Sequence, residues 1–161
     1  MKTKISLLLF TILYGGSIAF SQVPTINGLI LNQKYTKDAI IQTLGTPTYY
    51  RIDLDDNGNS EAFYYGTTQF GFTDGILTRA SIEDSAFKLY GCVYVGLSRD
   101  QVVTLLSPYG LSRLDNDDAG TACISFYNKL IGSTDQYSDV PFYFYFDASD
   151  HLININYEIQ D

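Results

Sequence analysis

One pattern occurs twice in this sequence, and the repeat constrains the fold more than any other feature. Residues 36–45 and 98–107 each begin with a hydroxyl residue, a basic residue and an aspartate, and apolar residues follow at helical spacing. The hydroxyl can accept hydrogen bonds from free amides of the first helical turn, and the helix dipole favours the aspartate there. Pro47 and Pro108 follow, and proline does not continue a helix. The pattern predicts helices over 36–44 and 98–106.

Segments typical of antiparallel strands follow each predicted helix. In the first copy they are separated by short turns, one of which contains Asn57 and Gly58, a strong hairpin signal. In the second copy the strands are interrupted by a loop over 128–140 that is rich in Gly, Ser and Asp. The predicted fold class is α+β, with two tandem helix-plus-four-stranded antiparallel sheet units. Side by side, the units would share one extended sheet with the helices on one face, because each is too thin for a core of its own.

The first 21 residues have the pattern of a secretory signal peptide. Lys2 and Lys4 precede an apolar stretch, and Ala19 and Ser21 are small residues at the positions that a cleavage before Gln22 requires. The apolar stretch is too short to span a bilayer. The predicted organisation is therefore a signal peptide over 1–21, a first repeat over 22–90 and a second repeat over 91–161. We expect an exported protein that is soluble in the periplasm or outside the cell, without membrane insertion.

The chain is acidic, with a formal net charge of −8 that becomes more negative when Lys2 and Lys4 are removed. An acidic surface repels phosphate backbones and anionic lipids, so nucleic acid is excluded as a partner. The charge suits a basic partner protein or peptide, although solubility alone also explains it.

Alternation along the last two predicted strands separates two faces. Phe142, Phe144 and Phe146 point one way, toward a core, while Tyr143 and Tyr145 point the other way. The same alternation predicts that Ile153, Ile155 and Tyr157 face the core and that Ser125 faces outward.

The predicted outer face is rich in residue types that dominate binding interfaces. Tyrosine and arginine bury large areas and still offer hydrogen bonds. Tyrosine is also simply a good strand residue, which is the alternative interpretation. The residues predicted to bind a partner on this face are Tyr64, Arg79, Tyr127, Tyr143, Tyr145, Asn154 and Asn156.

Three weaker patterns carry alternatives. Asp53, Asp55 and Asn57 match the start of a calcium-binding loop, but Tyr64 stands where a bidentate glutamate is needed, so a hairpin tip explains them better. Cys92 and Cys123 can form a disulfide in an oxidising compartment or remain buried thiols. The single histidine, His151, has no catalytic motif around it, so no catalytic residues and no cofactor are predicted.

The capped helix over 96–106, or over 35–44 with 45–47, followed by a small antiparallel sheet, resembles the modules of beta-lactamase inhibitory protein. It also resembles the single module of the SmpA/OmlA-type outer-membrane assembly lipoproteins. The resemblance implies a curved eight-stranded sheet whose concave face binds a protein. This chain lacks the lipobox cysteine of those lipoproteins and the inhibitor's disulfide within each unit, so inhibition of a beta-lactamase is not implied.

The function that these patterns favour is a secreted, non-enzymatic protein-binding module, comparable to an inhibitor, that uses the aromatic outer face. We expect the second repeat, with Tyr143, Tyr145 and the loop over 128–140, to carry most of the specificity. One alternative is a structural envelope component that self-associates through this face. The other is a small hydrolase that uses carboxylates from the acidic turns.

Overall fold

The computed structural model describes residues 24–31, 33–55, 58–109, 112–116, 122–127 and 142–159. The predicted signal peptide over 1–21 and the predicted loop over 128–140 lie outside these ranges. The elements in chain order are β1 (Thr25–Ile26), β2 (Leu29–Ile30), α1 (Lys37–Leu44), β3 (Tyr49–Asp55), β4 (Gly58–Tyr65), β5 (Thr68–Thr73), β6 (Ile76–Ile82), α2 (Arg99–Leu106), a 3-10 turn (Ser107–Tyr109), β7 (Ser112–Asn116), β8 (Ala122–Tyr127), β9 (Phe142–Phe146) and β10 (Leu152–Glu158).

Eight of these strands form one antiparallel sheet in the order β3-β4-β5-β6-β10-β9-β8-β7, while β1 and β2 form a separate two-stranded ribbon. The centre of the sheet is the pairing of β6 with β10, in which Ile82 lies opposite Ile155 and Arg79 lies opposite Glu158. The last strand of the chain is therefore inserted next to the last strand of the first meander. No helix among the described residues is long and apolar enough to cross a membrane.

The predicted α+β class of two tandem helix-plus-four-stranded units is wrong. The described part of the molecule is mostly β, and its two α-helices have only eight residues each. All eight strands belong to one sheet, in which β6 and β10 are hydrogen-bonded neighbours. A short helix on four strands buries too little apolar surface to be stable alone, so the strands share one core. The predicted boundary between residues 90 and 91 falls in the segment 83–98 that joins β6 to α2.

Both predicted helices are confirmed, and local capping explains where each begins. In α1, the Thr36 hydroxyl accepts a hydrogen bond from the Ala39 amide at 3.2 Å. In α2, Ser98 and Gln101 form a reciprocal capping box: the Gln101 amide donates to the Ser98 hydroxyl, and the Gln101 side chain accepts from the Ser98 amide at 2.9 Å. Gly45 ends α1 with a φ of 89°, a conformation that favours glycine.

The core lies on the phenylalanine face of the sheet. Phe142, Phe144 and Phe146 are buried, as predicted. The apolar cluster contains buried residues from the sheet, from both helices, from the β1–β2 ribbon and from the segment 83–98, among them Phe63, Phe70, Phe72, Ile26, Leu29, Ile40, Leu89, Val93, Val102 and Leu106.

The predicted inward position of Ile153 is wrong. A register irregularity between Leu152 and Asn154 lets Leu152 pair with Phe146, and Leu152 is fully buried. Ile153 is instead 45% exposed. An extra residue in one strand breaks the two-residue alternation on which the prediction relied. Ile155 and Tyr157, beyond the irregularity, are buried as predicted.

A buried threonine holds the chain where it leaves β6. Thr68 is fully buried, and its hydroxyl oxygen accepts hydrogen bonds from the amides of Glu83 and Asp84, each at 3.0 Å. These amides lie just past the end of β6, so Thr68 positions the start of the segment that leads to α2.

Candidate functional site

Strand register places most of the predicted binding residues on one face, opposite the phenylalanines; we call it the outer face. Directly opposed residues of antiparallel strands share a face. Tyr64 lies opposite Gln69, and Gln69 lies opposite Ser81. Across the centre of the sheet, Ser81 lies opposite Asn156. The same register brings to this face the predicted residues Tyr64, Arg79, Tyr143, Tyr145, Asn154 and Asn156.

The seventh predicted residue, Tyr127, lies in β8 opposite Ser112. The structure describes its backbone and not its side chain. Its register position is two residues beyond Ser125, which lies opposite Tyr143. The backbone of Tyr127 is therefore at an outer-face position, at the far end of the sheet from Tyr64.

A groove of about 400 Å³ runs across the outer face over β3, β4, β5, β6 and β10. Its walls are dominated by polar groups, and two predicted residues, Tyr64 and Arg79, line it. The lining residues are Arg51, Ser60, Glu61, Ala62, Tyr64, Gln69, Gly71, Thr73, Thr78, Arg79, Glu158 and Ile159. We call this site the polar groove. It lies over β3 to β6 and the end of β10, whereas the specificity predicted for the second repeat stays a prediction.

Two of the residues that line the groove, Ala62 and Gly71, are small. Ala62 and Gly71 are opposed residues of β4 and β5, and Gly71 is also opposed to Arg79 of β6. A Cβ added at Gly71 would lie 3.2 Å from the Cβ of Arg79, closer than ordinary van der Waals contact. The absence of a side chain at Gly71 therefore provides the space beside the stem of Arg79.

Two charged residues of the groove form an exposed ion pair between β6 and β10. The Arg79 Nε donates to Glu158 Oε1 at 2.9 Å, and a second guanidinium nitrogen contacts the same oxygen. The side chains are 56% and 51% exposed. An exposed pair of this kind contributes little to stability, because solvent screens it. Both groups can therefore exchange their mutual contact for a ligand at small cost.

Sequence reasoning identified Arg79 and missed its partner. Glu158 lies far along the chain and reaches Arg79 only because β10 pairs with β6. Gln69, Gly71 and Arg51 were missed for the same reason, since their role depends on which strands are neighbours. The one available signal was alternation in β10, which places Glu158 on the same face as Asn154 and Asn156.

Asn154 joins the two halves of the outer face. Its side-chain nitrogen donates to the Ser81 hydroxyl at 3.0 Å and to the Glu83 carboxylate at 3.2 Å. Its side-chain oxygen is buried and has no hydrogen-bond partner among the described residues. Asn154 therefore orients neighbouring side chains in addition to lying beside Tyr145.

Two outer-face positions next to Tyr143 and Tyr145 are not open to solvent. Cys123 and Ser125 lie opposite these tyrosines in β8, and both are buried. The prediction that Ser125 faces solvent is therefore wrong, although its register position is on the outer face. Burial raises the pKa of the Cys123 thiol, and a hydrogen bond with the Phe144 backbone partly offsets this rise. Cys123 is thus a neutral thiol at physiological pH.

The cysteines do not form the disulfide that the sequence allowed. Both are free; Cys92 lies in the segment before α2, where its sulfur is 3.8 Å from the Tyr109 hydroxyl. Cys92 packs against the core, whereas Cys123 occupies an outer-face position in β8, on the other side of the sheet.

The remaining patterns show no arrangement for metal binding or acid-base chemistry in the described residues. Asp53 and Asp55 lie in β3 with only their backbone described, and Asn57 lies outside the described ranges. The described part of the chain contains no group of three or more His, Cys, Asp or Glu residues that could hold a metal ion. His151 Nδ1 is 3.9 Å from Asp147 Oδ1, but both side chains are about half exposed, and Asp147 serves to order its turn.

No protein-family model and no curated protein matches the sequence. Among solved structures, the chain is similar to an extracellular protein containing a SCP domain from Bacillus anthracis, with 16% identity and a TM-score of 0.47. That similarity covers 79% of this chain and 44% of the other, so this chain spans less than half the length of that protein. A DUF4309 family protein (YjgB) from Bacillus subtilis is similar with 14% identity and a TM-score of 0.35, over 83% of each chain. Both TM-scores are below 0.5, so neither similarity supports an argument about function.

Proposed function

We propose that this protein is an exported binding module that uses its outer face, centred on the polar groove, to hold a segment of a partner protein or peptide. The observation that carries the proposal is the groove itself, which combines Tyr64, Arg79 and Glu158 on the face where the register also gathers Tyr143 and Asn156. A concave site with a few convergent polar groups is the usual form of a binding site.

The chemistry of the groove suits a polar segment with a basic group. Glu158 can accept hydrogen bonds from a cation or a backbone amide, while Arg79 can donate to a carbonyl or carboxylate. Tyr64 lines the groove and stands beside Tyr49, with ring centroids 5.4 Å apart, and Tyr49 is 59% exposed. These rings offer contact area at low entropic cost. The net charge of −8 would steer a basic partner toward the protein.

Export and the class of partner are supported by the sequence alone. The pattern over residues 1–21 supports a signal peptide, and the resemblance to the modules of beta-lactamase inhibitory protein supports a protein as the partner. A non-enzymatic role rests on the lack of a catalytic motif in the sequence and remains part of the proposal.

Partner capture with matched variants tests the proposal. The purified protein is immobilised, exposed to extracts of the periplasm and of the culture medium, and the retained proteins are identified by mass spectrometry. Tyr64→Ala combined with Arg79→Ala should abolish retention of the partner, whereas Gln42→Ala, an exposed change on α1 away from the outer face, should not. Retention that survives the double variant would refute the groove as the binding site.

A second double variant tests whether strand β9 contributes to binding of the partner. Tyr143→Ala combined with Tyr145→Ala should weaken capture if the second repeat dominates, as the sequence predicts. If both double variants leave capture unchanged, the outer face as a whole is not the binding surface.

A further inference from the structure

In the part of the chain that the structure describes, β3 is an edge strand of the large sheet. β3 pairs with β4 on one side, and among the described residues no strand pairs with its other side. The pairing with β4 is continuous from Tyr49 opposite Tyr64 to Asp55 opposite Gly58. Proteins usually protect edge strands with prolines, bulges or very short strands. β3 is seven residues long, contains no proline, and shows no register shift against β4.

This edge strand also exposes apolar side chains. Tyr49 is 59% exposed and Ile52 is 53% exposed, and they are the two most exposed large hydrophobic residues of the described chain. They lie on opposite faces, since Tyr49 is opposite Tyr64 on the outer face and Ile52 is opposite Glu61 on the other. An added strand would cover apolar surface on both faces at once.

Charges on an edge strand ordinarily keep copies apart, but the order of charges in β3 has the opposite consequence. If two β3 strands pair antiparallel about a two-fold axis at Ile52, Arg51 lies opposite Asp53 of the second copy, and the reverse pair forms by symmetry. Tyr49 then lies opposite Asp55 of the second copy. Opposite charges on directly opposed residues stabilise antiparallel pairs.

Two other registers, with the axis one residue away on either side, would also keep the outer faces of both copies on the same side. Both are unfavourable. A two-fold axis at Arg51 places Arg51 against its own copy, and an axis at Asp53 places Asp53 against its own copy. Like charges directly opposite each other are destabilising. Only the axis at Ile52 pairs all seven residues of β3, so the sequence of the strand specifies one register with itself.

We propose that two copies of this chain associate by antiparallel pairing of their β3 edges in this register, which forms one sheet across both molecules. Arg51 also lines the polar groove, so the two grooves lie on one face, on either side of the two-fold axis. Pairing of two edges buries little area, and each copy has a net charge of −8, so the dimer is weak and depends on concentration. This inference goes beyond the proposed function and does not depend on it.

A charge-swap rescue tests the register in the absence of any partner. Sedimentation equilibrium over a concentration series measures dimer formation for the full chain and for three variants: Arg51→Asp, Asp53→Arg, and both together. Each single change creates two like-charge pairs and should weaken the dimer by about tenfold or more. The double variant restores both opposite-charge pairs and should recover association. Lys88→Asp changes the net charge by the same amount as Arg51→Asp at an exposed site away from β3, and should leave association close to that of the unchanged protein.

A second variant tests the position of the axis independently. Ile52→Cys places two thiols at the two-fold axis, where opposed Cα atoms of antiparallel strands are about 4.5–5.5 Å apart, within the range for a disulfide. Mild oxidation should link the two copies of this variant, while the unchanged protein, which already contains Cys92 and Cys123, is the control. A chain that stays monomeric throughout the series, a double variant that fails to recover, or an Ile52→Cys variant that fails to crosslink would overturn the proposal.

Discussion

Replacing Thr68 by valine should destabilise the protein through two backbone amides rather than through packing. Thr68 is fully buried, and its hydroxyl oxygen accepts from the Glu83 and Asp84 amides at 3.0 Å each. Valine has nearly the same shape and no acceptor, so both amides lose their partner while the buried volume stays similar.

The size of the destabilisation depends on whether the two amides find other hydrogen-bond partners. A buried donor left without a partner costs about 1–3 kcal/mol. Glu83 and Asp84 are exposed, so their amides can partly recover hydrogen bonds from water. The expected cost for each amide is therefore near the lower end of this range. We expect Thr68→Val to lower the free energy of unfolding by about 2 kcal/mol. Thr68→Ser keeps the acceptor and loses one methyl group, and should cost about 0.8 kcal/mol.

Equilibrium unfolding in urea, followed by circular dichroism, measures both variants against the unchanged protein. The chain contains no tryptophan, so circular dichroism is preferred to tryptophan fluorescence. A Thr68→Val protein as stable as Thr68→Ser would refute the reasoning, because it would show that the two hydrogen bonds add nothing to holding the end of β6.

Three further predictions concern the alkaline range, the groove and the second helix. Burial raises the pKa of Tyr157 to about 12, above its unfolded value near 10, so its contribution to stability is retained below pH 10 and is lost as pH rises through 12. Tyr157→Phe should make the loss of stability between pH 9 and 12 less steep, and an unchanged slope would contradict this. In a double-mutant cycle with alanine, Arg79 and Glu158 should show a coupling in unfolding free energy of only about 0.2–1 kcal/mol, and a value above 2 would mean that solvent does not screen the pair. Ser98→Ala removes an acceptor of the capping box and should lower the free energy of unfolding by about 1 kcal/mol, whereas Ser98→Asp, which can still cap, should restore most of it in the same urea assay.

Features that depend on neighbours a few residues apart were predictable. The caps at Thr36 and Ser98 are local hydrogen bonds, and both helices begin where the hydroxyl residues indicated. Alternation in β9 correctly separated Phe144 from Tyr143, because opposite orientation of successive side chains is a property of any extended strand.

The rule failed where the strand was not regular or where exposure depended on other parts of the chain. Ile153 sits at an irregularity in β10, which no pattern of apolar and polar residues reveals. Ser125 occupies an outer-face position and is nevertheless buried, since alternation reports the face and not whether that face is covered. The predicted α+β units were wrong for a related reason. The repeated pattern covers the two helices, whereas the fold class depends on the strands.

The sequence by itself determined the helix ends and the separation of an aromatic core face from a tyrosine-bearing face, because these follow from local hydrogen bonds and two-residue periodicity. Only the tertiary structure decided that β10 lies against β6, and with it the pairing of Arg79 with Glu158 and the polar groove around Gly71. Pairing between strands far apart in the chain depends on burying a shared apolar face, and the alternation within a strand does not indicate which strand is its neighbour. The candidate site therefore depends on β10 lying beside β6, which the repeated pattern does not specify.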